Sequence, residues 1–313
     1  MVEKSYLRQI SLFLVIGLLI YSFLYWATEI LISQHGERNR FFAVKTASAP
    51  TYDYVILGAS HALPLGFEGM TEQLEKLTGS KIINLSTPGG GIIPNQLLLD
   101  YFLTRHTTKN VLYVLDSFAF YSREWNEDRI SDVRLFRKAP ADLALANLLL
   151  SYGFNRGVNL SVAVDYILGF SKINNPHRFE TDISNDELKK FDKVHRPSSR
   201  DKRRIDYLYP ARIDNLVFEK YLTIFSELID LLNSQGIALT VIKPPIPPHF
   251  YQLIPNESEF DVAITNLLAR KTVSFHDFSQ VNNDPNLFYD SDHLNRKGVL
   301  SLFQNYLKNV LLR

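Results

Sequence analysis

A serine near the start of the chain, a glycine run after it and a histidine close to the end are the residues here whose types could do chemistry together. The histidine is His293, in Asp290-Ser291-Asp292-His293. A serine hydroxyl becomes a nucleophile at neutral pH only beside a base, and the base needs a partner that fixes its tautomer. Asp290 precedes His293 by three residues, so in a turn or a helical start both side chains project to one side. The carboxylate can then hold one ring nitrogen while the other serves Ser60. Asp292 competes for the orienting role, but adjacency to the histidine suits it less. A second D-x-x-H, Asp192-Lys193-Val194-His195, follows no apolar run and is read as incidental.

Ser60 closes Tyr54-Val55-Ile56-Leu57-Gly58-Ala59-Ser60, an apolar run that stops at a glycine. Such a run reads as a buried strand ending in a sharp turn, and open α/β sheets bind ligands at the carboxyl ends of their strands. His61 is read as peripheral, because neighbouring side chains on a turn diverge. Asn84-Leu85-Ser86-Thr87-Pro88-Gly89-Gly90-Gly91 follows the next strand in the same way. Its glycines let the backbone approach a ligand and aim N–H groups at developing negative charge, as an oxyanion hole requires. The same stretch also suits a plain flexible turn.

Alternation of strand-like and helix-like runs from Tyr52 onward predicts an α/β/α sandwich on a mainly parallel sheet. Strands are expected at 54–57, 81–85, 111–115, 237–243 and 273–276. Met70, Leu74 and Leu77 mark a helix capped by Gly79; Val217, Tyr221, Phe225, Leu228 and Leu232 mark another, entered at Asp214 or Asn215. A last helix is expected from about Lys297, burying Leu300, Phe303, Leu307 and Val310, with Asn295 as its N-cap. Residues 122–209 break the rhythm. They read as an insertion with a helix at 141–150 and a polar stretch carrying Arg196, Arg200, Lys202, Arg203 and Arg204. That basic cluster is either a solvated loop or a contact for anionic lipid or an acidic glycan.

Residues 9–28 are 20 residues without a charge, about 30 Å as a helix, enough to cross a bilayer core. Tyr21, Tyr25 and Trp26 sit toward its far end, where aromatic side chains favour the interface. Residues 1–33 are therefore expected to be a membrane anchor, 34–51 a linker and 52–313 the α/β domain. Lys4 and Arg8 before the span and Arg38, Arg40 and Lys45 after it leave its orientation undecided by charge. A net charge of +1 gives no electrostatic case for nucleic acid, and zero cysteines exclude thiol catalysis and disulfides. No sequence spacing of His, Asp and Glu suggests a metal, and no glycine motif suggests a nucleotide cofactor.

A serine ending the first strand, glycines after the second and D-x-x-H before the last helix together resemble the SGNH (GDSL-type) hydrolase superfamily. With the anchor and the Gly-Ala-Ser form, the chain looks most like its envelope-polymer acyltransferases, of the alginate acetyltransferase and teichoic acid D-alanine transfer type. The resemblance implies Ser60 as nucleophile, His293 as base and Asp290 as its acid, with oxyanion donors from the N–H groups of Ser60 and Gly89. It also implies an extracytoplasmic catalytic domain, an acyl donor, a carbohydrate or polymer acceptor and a membrane-bound protein supplying the donor. Gly90, Asp116, Ser117 and Lys243 are candidates for contacting substrate. One block departs: the third strand is followed by Asp116-Ser117-Phe118-Ala119, where the superfamily carries an oxyanion-binding Asn. An ionised Asp116 cannot donate, so Asn84, Ser117 or another N–H replaces that donor, or the site is weakened. A simple esterase and a catalytically silent scaffold subunit remain the alternatives.

Overall fold

The computed structural model describes residues 2–36, 39–177, 189–196, 199–281 and 284–312. Residues 37–38 of the expected linker, and 178–188 and 197–198 of the expected insertion, lie outside that set. The chain forms two compact units: Met1–Lys45 with Asp132–Asp182, and Thr46–Ser131 with Ile183–Arg313.

The larger unit is built on β1 (Thr51–Gly58), β2 (Ile82–Asn84), β3 (Thr107–Val114), β4 (Ala238–Lys243) and β5 (Ser274–Asp277). All pairs are parallel and the order is β2-β1-β3-β4-β5. Because both faces are covered, β1 reads as a continuous apolar run, and Val55, Ile56 and Leu57 are fully buried. Tyr54, Ile56, Leu112, Val114 and Ile242 face a core shared with the helices Met70–Thr78 and Arg296–Leu302. On the opposite face Tyr113 of β3 meets Phe225 of the helix Asn215–Ser234, ring centroids 5.1 Å apart. Burying a side chain such as Phe225 contributes about 1.5–3 kcal/mol, so truncating it would loosen this whole layer.

The expected caps form. Gly79 ends the first of these helices at φ +68, and the Asp214 carboxylate accepts from Leu216 N–H to start the Asn215–Ser234 helix. Asn295 Oδ1 accepts from Gly298 N–H at 3.0 Å. The last helix differs from expectation in one respect. A π turn at Phe303–Leu307 interrupts it, and the extra residue in that turn rotates the buried face. Val299, Leu302, Phe303, Leu307 and Leu311 are the buried positions, while Leu300 and Val310 are only partly covered.

The smaller unit carries the helix Val2–His35, of which Tyr6–His35 is long and apolar enough to cross a membrane. By length and composition it fits a membrane anchor or an N-terminal signal sequence. Its polar end is tied down: Glu29 accepts from Ala141 N–H at 2.7 Å and from Lys172 Nζ at 2.9 Å. Burial lowers the Lys172 pKa against the pull of Glu29. The helix expected at 141–150 runs Leu143–Asn155, started by the Asp142 carboxylate on Ala144 N–H.

Candidate active site

Gly58 ends β1 at φ +146, and a Cβ there would stand 2.7 Å from the Val114 carbonyl oxygen. Only glycine permits this close approach of two strand ends. The turn that follows presents Ser60 at the start of a 3-10 segment. Across the sheet edge, the 290–293 loop is closed by an antiparallel bridge between Phe288 and Leu294 and by Tyr289 N–H donating to the His293 carbonyl at 3.0 Å. Asp290 Oδ1 accepts from the N–H groups of Asp292 (3.1 Å) and His293 (2.8 Å), a local turn built by the aspartate itself. The same carboxylate reaches His293 Nδ1 with both oxygens at 2.9 Å. Tyr289 stacks on the imidazole, centroids 5.6 Å apart. His293 Nε2 is buried and has no hydrogen-bond partner among the described residues.

Ser60, Asp290 and His293 line one cavity of about 290 Å³, together with Gly89, Trp125 and Arg204. Gly89 has φ +60, and a Cβ on it would lie 2.8 Å from Trp125 Cζ3. Two requirements, a left-handed backbone and contact with the indole, thus fall on one glycine. Trp125 is itself fixed by Nε1 donating to the Leu208 carbonyl at 2.9 Å. An imidazole with one nitrogen fixed by a carboxylate and the other without a partner can accept a proton, and the guanidinium beside Ser60 can stabilise negative charge.

Other expected residues sit elsewhere. Asn84 spends its side chain locally: Nδ2 donates to the Ala62 carbonyl at 2.9 Å, and Oδ1 accepts from Ser86 N–H and Oγ. Gly90 does not line the cavity; its N–H donates to the Thr87 carbonyl at 3.0 Å. Ser117 Oγ is shared with Tyr209 (2.8 Å) and Glu257 (2.5 Å), and Lys243 Nζ pairs with Glu257 (2.6 Å) and Asp261 (2.5 Å). These form a buried polar cluster of their own. Burial works against the Lys243 charge, but Glu257 and Asp261 outweigh it and raise the pKa; burial raises Glu257 above the usual carboxylate range despite Lys243.

The main departure from the sequence reading concerns His61. It is buried rather than peripheral, with Nδ1 2.5 Å from Asp116 Oδ1 and Nε2 3.4 Å from Asp292 Oδ2. Burial opposes its charge, yet the two carboxylates outweigh burial and push its pKa up to about 10. Asp116 is therefore held by a cation and is not the bare anion its position suggested. Asp292, also read as less suited, sits at the centre of the site. Its Oδ1 is 3.3 Å from His293 Nδ1, and its Oδ2 accepts from Arg204 Nε at 3.0 Å. Burial raises its pKa, but His293, His61 and Arg204 more than offset this and hold the carboxyl well below the usual range.

Arg204 comes from the helix Ser199–Leu208, within the stretch read as a solvated basic cluster. Lys202 and Arg203 are exposed, whereas Arg204 turns inward and its Nη2 donates to Ser60 Oγ at 3.4 Å. Burial opposes its charge, but Asp292 outweighs it and raises the pKa further. The D-x-x-H read as incidental comes apart: Asp192 pairs with Arg296 Nε at 2.6 Å, while His195 faces Asp201.

No family model matches this chain, and no curated protein matches it. Among solved structures, it is similar to the crystal structure of a Bacteroides fragilis protein described provisionally as an acylhydrolase. The two share 9% identity over 85% of this chain and 90% of that one, with a TM-score of 0.39. At this score the likeness transfers neither an activity nor a residue role.

Proposed function

We propose that this chain is a membrane-anchored serine acyl-transfer enzyme of the SGNH type. The observation that carries it is His293, gripped at Nδ1 by Asp290, without a partner at Nε2 among the described residues, and lining the same cavity as Ser60. Ser60 Oγ attacks the carbonyl carbon of an acyl ester while His293 Nε2 takes its proton. The tetrahedral oxyanion is stabilised by the N–H groups of Ser60 and Gly89. Arg204 adds a charged donor that stands in for the Asn absent at position 116. Collapse breaks the bond to the donor alcohol, which leaves with the proton from His293. The acyl group then passes from Ser60 to an acceptor hydroxyl, with His293 again moving the proton; water in that role makes the chain an esterase. Asp290 and Asp292 stabilise the imidazolium formed in each half.

The apolar N-terminal helix supports attachment to a membrane. A catalytic unit outside the cytoplasm, a polysaccharide of the envelope as acceptor and a membrane protein supplying the acyl donor complete the proposal, on the resemblance to the envelope-polymer acyltransferases alone. Intact mass of the full chain in detergent, after exposure to a fluorophosphonate, tests the site. One adduct that disappears in Ser60→Ala is expected. A folded wild-type protein that takes no adduct would refute the nucleophile and favour a non-catalytic scaffold.

A further inference from the structure

A second group of His and Asp side chains lies outside the acyl-transfer site. His195 Nε2 stands 3.0 Å from Asp201 Oδ1, and His249 Nε2 stands 3.3 Å from Asp201 Oδ2. The ligand atoms of these three residues all fall within 4.8 Å of one another. We propose that His195, Asp201 and His249 form a Zn²⁺ site.

Four-coordinate Zn²⁺ holds nitrogen and oxygen at about 2.0–2.1 Å, which places two ligand atoms of a tetrahedron roughly 3.3 Å apart. The two N–O separations lie close to that value, 3.0 Å to Oδ1 from His195, a hydrogen bond that the ion would replace, and 3.3 Å to Oδ2 from His249. Two neutral imidazoles and one carboxylate form a borderline donor set that suits Zn²⁺ or Co²⁺ better than Mg²⁺ or Ca²⁺. Among the described residues, His249 Nε2 is buried and makes no hydrogen bond, its 3.3 Å approach to Asp201 Oδ2 included, which leaves the ring nitrogen available to a metal. The ring itself is about a third exposed, which leaves a route for the ion and room for water as fourth ligand. The other His/Asp group, His61, Asp292 and His293, belongs to the site already described, where His61 carries a proton between two carboxylates.

The three ligands come from separate places. His195 sits in the segment before the Ser199–Leu208 helix, Asp201 in that helix's first turn and His249 in the short helix Pro248–Tyr251 after β4. Ser291 Oγ, inside the 290–293 loop, donates to Asp201 Oδ1 at 2.6 Å. Arg204 lies three residues after Asp201 on the same helix and reaches Asp292 and Ser60. A bound ion would therefore tie the helix that carries Arg204 to the short helix after β4, and the Ser291 hydrogen bond to Asp201 passes that constraint to the loop that carries His293. Its role is bracing and positioning, since none of its ligands lines the cavity.

The test is Co²⁺ titration of the full chain in detergent after chelation, followed by visible absorption, with Zn²⁺ as competitor. One equivalent of Co²⁺ with the intense bands of four-coordinate geometry is expected, displaced by Zn²⁺ and accompanied by a higher thermal midpoint. His249→Asn, at a partly exposed ring and checked for an intact fold by circular dichroism, should weaken binding by roughly 100-fold or more, and Asp201→Asn likewise. His35→Asn, at an exposed histidine outside the cluster, should leave binding unchanged. No bands at saturating Co²⁺, or bands that survive in His249→Asn, would overturn the proposal. Acyl transfer is not the readout, so failure here leaves the Ser60 reading standing.

Discussion

Raising the pH should strip a large stabilising contribution from the centre of the active-site region, through His61. Its pKa moves from an ordinary 6.5 up to about 10 in the fold, because Asp116 and Asp292 outweigh the cost of burial. A group whose folded pKa is raised contributes stability that is fully present below its unfolded pKa and fades as pH climbs through the folded value. At 1.36 kcal/mol per unit, the interval corresponds to about 5 kcal/mol. That figure is a ceiling, since water and side-chain relaxation around the neutral ring return part of it. Against a total of about 5–15 kcal/mol for a domain, even half would move the denaturation midpoint clearly. The assay is chemical denaturation of the full chain in micelles at steps from about pH 6 to about pH 10.5, wild type beside His61→Asn. Other tyrosines and lysines titrate in that range, so the informative quantity is the difference between the two proteins. It should be largest at the acid end of the series, below the ordinary value of 6.5, and shrink steadily up to about 10. Parallel curves would refute the buried cation, as would histidine NMR showing that every imidazole is neutral by about pH 8.

Three further outcomes follow from the geometry. Ser60→Ala and His293→Ala should each lower acyl release by roughly 10,000-fold, read by single-turnover acylation, because either change removes the nucleophile–base pair. Arg204→Gln should cost about 100- to 1,000-fold in the acylation rate, with Arg204→Lys partly restoring it, as expected of a donor to the oxyanion rather than a packing residue. Gly89→Ala should destabilise the fold by about 1–3 kcal/mol, seen as a lower thermal midpoint, since a Cβ at φ +60 would also press on the Trp125 ring.

The sheet was legible because its strands are buried on both faces, so 54–57, 111–115 and 237–243 stand out as apolar runs that local pattern alone can find. Caps were legible for a similar reason: Asp214, Gly79 and Asn295 act on backbone within four residues of themselves. The Asp290–His293 contact is also local, one turn wide. The π turn at Phe303–Leu307 was not legible, because one extra residue in a turn leaves composition and approximate spacing unchanged. Nor was the inward turn of Arg204: its helix has a polar sequence, and the buried carboxylate it meets, Asp292, lies 88 residues away in sequence.

Asp116 and His61 show why the site as a whole escaped local reading. Each looks like a defect alone, an anion where a donor belongs and a histidine beside a nucleophile with nothing to do. They are 55 residues apart in sequence and 2.5 Å apart in space. Paired, they remove each other's cost, since the buried cation neutralises the carboxylate that would have repelled an oxyanion. Asp292 extends the same logic. Without His61 and Arg204, a fully desolvated carboxylate beside His293 would compete with Asp290 and draw a proton from solvent. With them it stays ionised at a fixed place, and the imidazolium that the proposed attack by Ser60 would form meets two carboxylates whose positions are already set.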